Sequence, residues 1–379
     1  MNVPPLWVQE QVNQMDDLLL KKFTRRDFLG NTSKLCFLVG MPSILLYCTE
    51  TESSNNEPKT EVEKPGKTGS DFEPGYLKLH KTGELQKRSE RLWAMMESCQ
   101  LCPRKCGDNR LKGGSGTCRA PGARLIISTY HAHLGEEKPL VGKGGSGTIF
   151  FSHCNLRCVY CQNWTISHLG RGSEKNINEL AGMMLRLQEQ GCHNINFVTP
   201  THYSPHIVKA LDVAAAKGLR LPVVYNTSGW ERLEILSLLD EIVDIYLPDF
   251  KYWDSAMAAK FSAGAESYPE ITRGAILEMN RQVGMAKSVN QGIMQRGLII
   301  RHLVMPNNTG GSEKIMAWIA ENLPKDTYVN IMPQYTPAYR AYDYPEISRR
   351  ITGKEYKKVV QKAKDMGLTN LDIQDYWWL

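Results

Sequence analysis

The chain has 379 residues and a formal net charge of +6, with 42% hydrophobic and 23% charged residues. This composition is typical of an ordinary soluble globular protein with one large domain and appendages. The charge is modest and forms no long block of one sign, so no nucleic-acid partner is expected. The ten cysteines are too few for a disulfide scaffold of this length, and most lie in two clusters, as metal ligands do.

Residues 1–48 are interpreted as an export signal. Arg25 and Arg26 precede a Phe-Leu pair and an apolar run over 35–47, which is shorter than the roughly 20 residues of a membrane-spanning helix. This order resembles a twin-arginine signal, whose route carries folded cargo. The alternative is an accidental basic pair before a short apolar helix. We expect an exported protein, periplasmic or membrane-anchored, or a cytoplasmic one if the signal is not used.

The apolar run closes at Cys48, in the position of a lipoprotein cleavage site. Tyr47 is bulky where such sites prefer a small residue, so a membrane tether through Cys48 is one of two alternatives. Residues 49–74 are rich in Ser, Thr, Glu, Lys, Asn and Pro and are almost free of apolar residues. Such a stretch cannot form a core, and it is predicted to be a flexible linker.

Residues 75–124 are predicted to be a metal-binding segment. The pattern over 75–97 is helical, with an apolar stripe interpreted as core packing. Four cysteines follow with C-x2-C-x3-C-x11-C spacing: Cys99, Cys102, Cys106 and Cys118. Four thiolates can close a tetrahedral site, and the glycines before the last one let the loop turn back. Structural Zn²⁺ and an auxiliary iron–sulfur cluster both fit, whereas a disulfide is disfavoured if folding occurs in the cytoplasm.

Strand and helix patterns alternate through residues 125–379. A first strand is predicted at 125–130, and six more at 148–152, 194–199, 221–226, 243–248, 297–304 and 328–332. Helices are predicted at 178–190, 206–217, 233–240, 271–289, 313–322 and 354–366. This alternation favours right-handed βαβ units and an α/β fold with a parallel sheet. In such a barrel, functional residues lie at the carboxyl ends of the strands.

The strand over 148–152 leads into three cysteines with C-x3-C-x2-C spacing: Cys154, Cys158 and Cys161. Three thiolates leave one iron of a cubane [4Fe–4S] cluster without a protein ligand, and that iron can bind another molecule. A zinc site is the weaker alternative, because it needs a fourth ligand such as His153 or Cys192. Three cysteines this close together among polar residues are not core packing.

The cysteine motif resembles that of the radical S-adenosylmethionine (SAM) enzymes. The resemblance implies that the amino and carboxylate groups of SAM chelate the open iron. It further implies that one electron breaks the sulfonium C–S bond and yields a 5′-deoxyadenosyl radical. The fold it implies is a partial (β/α)6 barrel of the TIM-like type, preceded by the cysteine-rich segment.

The chain most resembles the activating-enzyme-like branch, especially an uncharacterised group named after pyruvate formate-lyase activating enzyme. The resemblance extends from about Cys99 to the C-terminus. Its sequences are Cys-Val-Tyr-Cys-Gln-Asn from Cys158, Asp-Phe-Lys from Asp249, Arg-His-Leu-Val-Met-Pro from Arg301 and Gln-Tyr-x-Pro-Ala-Tyr-Arg from Gln334. Together with the four cysteines before them, these sequences are specific to the group rather than to the superfamily.

The resemblance implies roles for individual residues around SAM. Tyr160 matches the aromatic residue that lies against the adenine. Asp249 and Lys251 match an acidic-x-Lys element near SAM, and Asn226 and Ser228 are placed to meet the ribose or the methionine. The plainer alternatives are a solvated charge for Lys251 and a helix cap or turn for Asn226.

One element departs from the superfamily pattern. Most members have Gly-Gly-Glu-Pro after the second strand, whereas this chain has Thr-Pro-Thr-His from Thr199 and lacks the acid. Thr199, Thr201 or a backbone carbonyl is expected to hold the SAM amino group instead, and Arg301 is a further candidate for cofactor binding. His202 and His302 are candidate acid–base groups on the substrate side, although a lone histidine is more often structural.

The sequence therefore predicts a SAM-dependent radical enzyme that abstracts a hydrogen atom from an unidentified substrate, a small molecule or a protein. A reductant such as flavodoxin or ferredoxin is its expected partner. Activation of pyruvate formate-lyase itself fits an exported protein poorly, because glycyl-radical enzymes of that kind are cytoplasmic. The alternative from another class is a non-catalytic iron–sulfur electron carrier or sensor on the same barrel.

Overall fold

The computed structural model describes residues 72–288 and 292–374. The predicted export signal, Cys48 and nearly all of the predicted linker lie outside the described residues. Within those two ranges, no helix is both long enough and apolar enough to cross a membrane.

Strands and helices alternate along the described chain. The α-helices are α1 (Gly75–Lys81), α2 (Glu84–Ala94), α3 (Lys138–Val141), α4 (Trp164–Ser167), α5 (Ile177–Glu189), α6 (Ser204–Ala216), α7 (Leu233–Leu239), α8 (Ser255–Phe261), α9 (Tyr268–Val283), α10 (Ser312–Asn322) and α11 (Gly353–Asp365). The strands are β1 (Leu125–His133), β2 (Ser146–Phe151), β3 (Ser173–Lys175), β4 (Ile195–Val198), β5 (Val223–Thr227), β6 (Ile245–Pro248), β7 (Lys287–Ser288), β8 (Met294–Leu303), β9 (Tyr328–Met332) and β10 (Leu371–Ile373).

The strands form one sheet in the order β10-β9-β8-β6-β5-β4-β2-β1-β3, with β7 paired to β8. The pairs from β2 to β10 along this order are all parallel, whereas β1 and β3 form an antiparallel edge. The predicted α/β fold with a mostly parallel sheet is therefore confirmed. In the described part of the chain no pairing joins β10 to β3, so the barrel is open.

Burial on both faces explains the composition of the central strands. All residues of β5 and β6 are buried, as expected for parallel strands covered by helices on one side and by the barrel interior on the other. Helix α5 illustrates the outer layer. It begins at a capping box in which Asn176 and Glu179 each accept from the backbone N–H of the other, and it buries Leu180, Met184 and Leu187.

Some elements differ from the sequence predictions. The helix predicted over 75–97 is two helices, because Gly83 takes a left-handed φ of 71° between them. The helix predicted over 271–289 spans Tyr268–Val283 and ends where Gly284 leaves the helical conformation. The chain then pairs β7 with β8. Helix α8 and strands β3 and β10 are too short to give a periodic signal, and they were not predicted.

Candidate active site

The three cysteines of the C-x3-C-x2-C motif lie in the loop that follows β2, which we call the cluster loop (residues 152–163). His153 and Arg157 within it have positive φ angles of 70° and 58°, a conformation that is unfavourable for residues with a side chain. Tertiary bonds hold the loop: the His153 N–H donates to the Ile166 carbonyl at 2.9 Å, and His168 Nε2 donates to the Cys158 carbonyl at 2.9 Å. The backbone is thus folded tightly around the cysteines.

The three cysteines line a cavity of about 270 Å³, here called the cysteine cavity. Residues of the cluster loop and from the carboxyl-terminal parts of several parallel strands line it too. Those predicted from the sequence are Tyr160, Thr199, Asn226, Ser228, Asp249, Lys251 and Arg301. The structure therefore brings the three cysteines together with seven of the eight predicted cofactor-binding residues, and only Thr201 is absent from the lining.

Asp249 is the centre of a buried ionic network on the wall of this cavity. Its Oδ2 accepts from Lys251 Nζ at 2.6 Å, and its Oδ1 accepts from Arg301 Nε at 2.8 Å. Arg301 Nη2 also donates to Asn226 Oδ1 at 2.6 Å. Burial opposes the charge of Asp249, but Arg301 and then Lys251 hold the pKa of this carboxyl below its ordinary value. The wall of the cavity thus contains a carboxylate, Asp249, that holds the side chains of Lys251 and Arg301 in place.

Ser228 and Tyr160 offer an uncharged part of the lining. The chain after Ser228 turns at Gly229, whose φ is 80° and where a Cβ would lie 2.4 Å from the Asp249 carbonyl oxygen, so only glycine allows this turn. Ser228 Oγ is buried and has no hydrogen-bond partner, so it can bond to a ligand. The Tyr160 ring is buried and packs against Tyr335, with ring centroids 5.8 Å apart.

Of the two threonines predicted to replace the missing acid, only Thr199 faces the cysteine cavity. The Thr201 hydroxyl instead donates to Glu231 Oε1 at 2.6 Å, and the Thr227 hydroxyl donates to the same oxygen. Glu231 is fully buried, and burial raises its pKa to about 7. Thr201 therefore donates to a buried carboxyl, Glu231, which was not among the predicted site residues.

His202 and His302, the candidate acid–base groups, both lie in the core and outside the cavity lining. His202 Nε2 donates to the Ser152 carbonyl at 2.9 Å, and burial lowers the pKa of this ring to about 3. His302 Nδ1 donates to the Phe250 carbonyl at 2.6 Å and Nε2 accepts from Ser312 Oγ at 2.7 Å, with a pKa that burial lowers to about 4. Both rings are neutral, buried and hydrogen-bonded within the core, as structural histidines are. The prediction that they act as acid–base groups is wrong, because neither ring faces the cysteine cavity.

Arg104, from the cysteine-rich segment, supports the cluster loop from outside the cavity. It donates to four backbone carbonyls: those of Asn155 at 3.0 Å, Leu156 at 3.4 Å, Ser262 at 3.0 Å and Ala263 at 2.6 Å. The first two belong to the cluster loop. Arg104 was not predicted as a functional residue, because nothing in the sequence shows which carbonyls a lone arginine contacts.

The four cysteines of residues 75–124 are close enough to influence one another. Burial raises the pKa of Cys99, and the neighbouring Cys106 and Cys118 raise it further while Arg110 opposes them. A Cβ on Gly116 would lie 2.7 Å from Cys106 Sγ, so this glycine lets the loop pass the sulfur. Among residues 72–288 and 292–374, no three His, Cys, Asp or Glu side chains converge as they would around a single metal ion.

The residues of the cysteine cavity fit the cluster that their spacing predicts. Ser262 Oγ lies 3.2 Å from Cys158 Sγ and Ser167 Oγ lies 3.1 Å from Cys161 Sγ, and such hydroxyl contacts stabilise sulfur ligands of iron. Burial raises the pKa of Cys154 to about 12, so forming the thiolate costs free energy. Binding to iron would offset this cost. Polar groups face the same space as the thiols, so one molecule can contact both.

A mostly parallel α/β sheet with three cysteines at the end of one strand defines the class of radical SAM proteins. A family model described as the radical SAM superfamily matches residues 148–281. The chain is also 34% identical over 289 residues to the uncharacterized protein MJ0674 of Methanocaldococcus jannaschii, an alignment that covers 74% of this chain and 77% of that protein. The chain belongs to the radical SAM superfamily and is an enzyme of that class.

Two solved structures are similar to the chain at low identity. TYW1 with a lysine-pyruvate adduct bound has a TM-score of 0.35 and 10% identity, over 57% of this chain and 73% of that one. Methylornithine synthase (PylB) has a TM-score of 0.39 and 12% identity, over 75% of this chain and 73% of that one.

Proposed function

We propose that the protein binds a [4Fe–4S] cluster through Cys154, Cys158 and Cys161 and cleaves SAM reductively, in the manner of the activating enzymes. The bound cluster would supply one electron that splits SAM into methionine and a 5′-deoxyadenosyl radical, which takes a hydrogen atom from the substrate. The observation that carries the proposal is the cysteine cavity, where the three thiols face the network of Asp249 and Lys251.

In this proposal the other cavity residues bind and orient SAM. Lys251 attracts the methionine carboxylate: burial opposes its charge, but Asp249 holds the pKa of Lys251 above its ordinary value. Ser228 Oγ, which lacks a partner, donates to a ribose oxygen or to the methionine portion. The Tyr160 ring provides an apolar surface for the adenine, and Thr199 accepts from the ammonium group in place of the missing acid.

Anaerobic reconstitution tests the proposal directly. The full-length protein, loaded with iron and sulfide and then given SAM and dithionite, is expected to release 5′-deoxyadenosine and methionine, which chromatography with mass detection quantifies. A variant with alanine at Cys154, Cys158 and Cys161 is the control and should release neither. A protein that shows the [4Fe–4S] spectrum but forms no 5′-deoxyadenosine would instead be the non-catalytic electron carrier or sensor.

The proposal extends to the reductant and to the location of the protein. Flavodoxin or ferredoxin is the proposed source of the electron, and each should replace dithionite in the assay. Export is proposed from Arg25 and Arg26 in the sequence, with a membrane tether through Cys48 as an open alternative. A variant with lysine at both arginine positions should stay in the cytoplasm in a fractionation experiment, and unchanged export would contradict the twin-arginine interpretation.

A further inference from the structure

A second cavity lies beside the cysteine cavity. Its volume is about 420 Å³, and it is lined by the loop that joins β1 to α3 and by residues of β8, β9 and β10. Because of its side chains we call it the acidic cavity; those that matter here are Glu136, Glu137, Arg301, Asn330 and Asp372. Three residues line both cavities: Arg301, Met332 and Gln334. The two cavities therefore share part of their walls.

Strand register explains why these groups lie together. Asp249 bridges to Arg301, Arg301 pairs with Asn330, and Asn330 pairs with Asp372 across neighbouring parallel strands. Side chains at paired positions point to the same face of a sheet. The four residues thus form one polar row across four strands, at the level where the parallel strands end. Every residue of this row has a charged or an amide side chain, so the row is not explained by core packing.

Two further carboxyls face this row from the loop between β1 and α3. Glu137 Oε1 accepts from Asn330 Nδ2 at 3.1 Å. Arg301 Nη1 lies 3.7 Å from Glu137 Oε1 and 3.8 Å from Glu136 Oε2. Both distances exceed hydrogen-bonding range, and Arg301 already donates to Asp249 and to Asn226. Arg301 therefore attracts the two glutamates without satisfying their oxygens.

Two buried acceptors in the lining have no partner. Glu137 is 6% exposed, and its Oε2 has no hydrogen-bond partner. Asn330 is 3% exposed, and its Oδ1 has no hydrogen-bond partner either. An unpartnered buried carboxylate oxygen costs free energy unless a ligand or a proton bonds to it. Both atoms are acceptors, so the missing partner is a hydrogen-bond donor. A protonated Glu136 can donate to Glu137, but Asn330 Oδ1 has no such neighbour.

The charged groups around the acidic cavity indicate the charge of the ligand that would provide this donor. Glu136, Glu137 and Asp372 face the space, and Arg301 is shared with Asp249. Lys138 has a side chain that is 88% exposed and lies 4.0 Å from Asp372, so water screens its charge. Burial raises the pKa of Glu136 to about 8; Arg301 opposes this rise and Glu137 adds to it. The cavity thus has an excess of carboxyl groups over cations.

We propose that the acidic cavity binds the cationic group of the substrate, an ammonium or a guanidinium, which Glu137 and Asn330 accept from and Asp372 and Glu136 attract. This inference rests on the proposed function, since it concerns the molecule that meets the radical. The cation anchors one end of the substrate beside Arg301, and the rest of the molecule extends past Met332 and Gln334 toward the cysteine cavity. The substrate class is a primary amine or a guanidino compound, free or in a peptide side chain.

Calorimetric titration of the full-length holoprotein with simple probes tests this assignment. The protein contains its cluster and SAM but no reductant, and the probes are n-butylguanidinium, n-butylamine, n-butanol and butyrate. Both cations are expected to bind, n-butanol about tenfold or more weakly, and butyrate not at all. If n-butanol or butyrate binds as tightly as the cations, the proposal is wrong.

Variants connect binding to the cavity. Glu137→Gln retains an acceptor for the Asn330 amide but removes the charge. Asp372→Asn retains an acceptor for the Tyr328 hydroxyl and likewise removes the charge. Each should weaken n-butylguanidinium binding by about tenfold or more, whereas Glu189→Gln, at an exposed position, should leave it unchanged. Using both variants keeps the test valid if one of them does not fold. Unaltered affinity in the folded variants would overturn the proposal.

The outcomes also separate this inference from the proposed function. Cation binding is measured without reductant, so it does not depend on SAM cleavage. Cation binding without 5′-deoxyadenosine formation would overturn the radical mechanism and leave the acidic cavity as a cation site. SAM cleavage without cation binding would overturn the assignment of the cavity alone.

Discussion

Arg301 and Asp249 are neighbours across parallel strands, and Arg301 Nε donates to Asp249 Oδ1 at 2.8 Å. Asp249 lines only the cysteine cavity, whereas Arg301 lines both that cavity and the acidic cavity. The guanidinium is therefore part of the wall between the proposed sites for SAM and for the substrate cation. A substitution in this pair should affect binding on both sides.

Asp249→Asn should destabilise the protein and weaken SAM binding together. Asn has the same shape but no charge, so Lys251 and Arg301 lose the carboxylate between them. Removing one partner of a buried ion pair costs about 3 kcal/mol or more, because the remaining charges stay buried. We expect a fall of this size in the free energy of unfolding, measured by urea denaturation, and a loss of SAM binding in equilibrium dialysis.

An exposed ion pair provides the control for this prediction. Arg340 Nε donates to Asp343 Oδ2 at 2.8 Å, but the two side chains are 58% and 53% exposed. Because water screens such a pair, Asp343→Asn should leave the urea midpoint and SAM binding nearly unchanged. Equal effects of the two substitutions would show that the buried position of Asp249 is not what matters.

Arg104→Lys should lower the amount of cluster that the protein retains. Lysine cannot span the four carbonyls that the guanidinium reaches, so Asn155 and Leu156 lose their donors and the cluster loop loosens. We expect fewer iron atoms per chain after anaerobic reconstitution and a faster loss of the visible absorbance of the cluster on exposure to a chelator.

The matched control is Arg88→Lys. Arg88 also donates to backbone carbonyls, those of Leu238 and Asp240, but neither of these lies in the cluster loop. With its bond to Glu84, Arg88 makes three hydrogen bonds against the four of Arg104. Its substitution should therefore disturb a comparable network without changing the iron content. Iron loss in both variants would point to general destabilisation rather than to support of the cluster loop by Arg104.

The sequence predicted which residues meet at the cysteine cavity because its signals are local. The cysteine spacing, the strand before it and the polar residues after successive strands all lie within short stretches, and a parallel sheet brings those strand ends together. Seven of the eight cofactor-binding predictions consequently share one cavity. Thr201 is the exception. The backbone turns at Thr199, whose φ is 59°, and then forms a 3₁₀ turn over Thr201–Tyr203. In this turn the Thr201 hydroxyl donates to Glu231.

What the sequence could not give depends on distant contacts. Arg104 meets carbonyls about 50 and 160 positions away, and Glu137 meets Asn330 across a separation of 193 residues. No periodicity encodes such pairs. The acidic cavity needs β10, whose three residues carry no strand signal of their own and pair with β9 only in the folded sheet.

Glu231→Gln should change how stability depends on pH. The folded protein raises the pKa of Glu231 from 4.5 to about 7, chiefly by burial. Between these values the folded state keeps a proton that the unfolded state has released, so the contribution of Glu231 is complete below about pH 4.5 and declines as the pH rises through 7. The full change is about 3 kcal/mol. Glutamine keeps the oxygen that accepts from Thr201 and Thr227 but does not titrate.

The measurement is the difference between the unfolding free energies of the natural protein and of Glu231→Gln at several values of pH. This difference should decrease from about pH 5 to about pH 8, because the other titrating groups are common to both proteins. Glu189→Gln, at an exposed position, is the matched control for removing one carboxyl without changing a buried site. A constant difference for Glu231→Gln would mean that the buried carboxyl titrates at its ordinary value.

The four cysteines of residues 75–124 should hold a metal independently of the cluster loop. Their C-x2-C-x3-C-x11-C spacing supplies four ligands within one short segment, and Cys99, Cys102 and Cys118 are buried. A variant with alanine at Cys154, Cys158 and Cys161 should therefore retain one zinc ion or one iron–sulfur cluster per chain in elemental analysis. Adding Cys102→Ala to that variant should remove this metal, because a tetrahedral site loses one of its four ligands. A metal-free triple variant that is still folded would show that the four thiols form no site of their own.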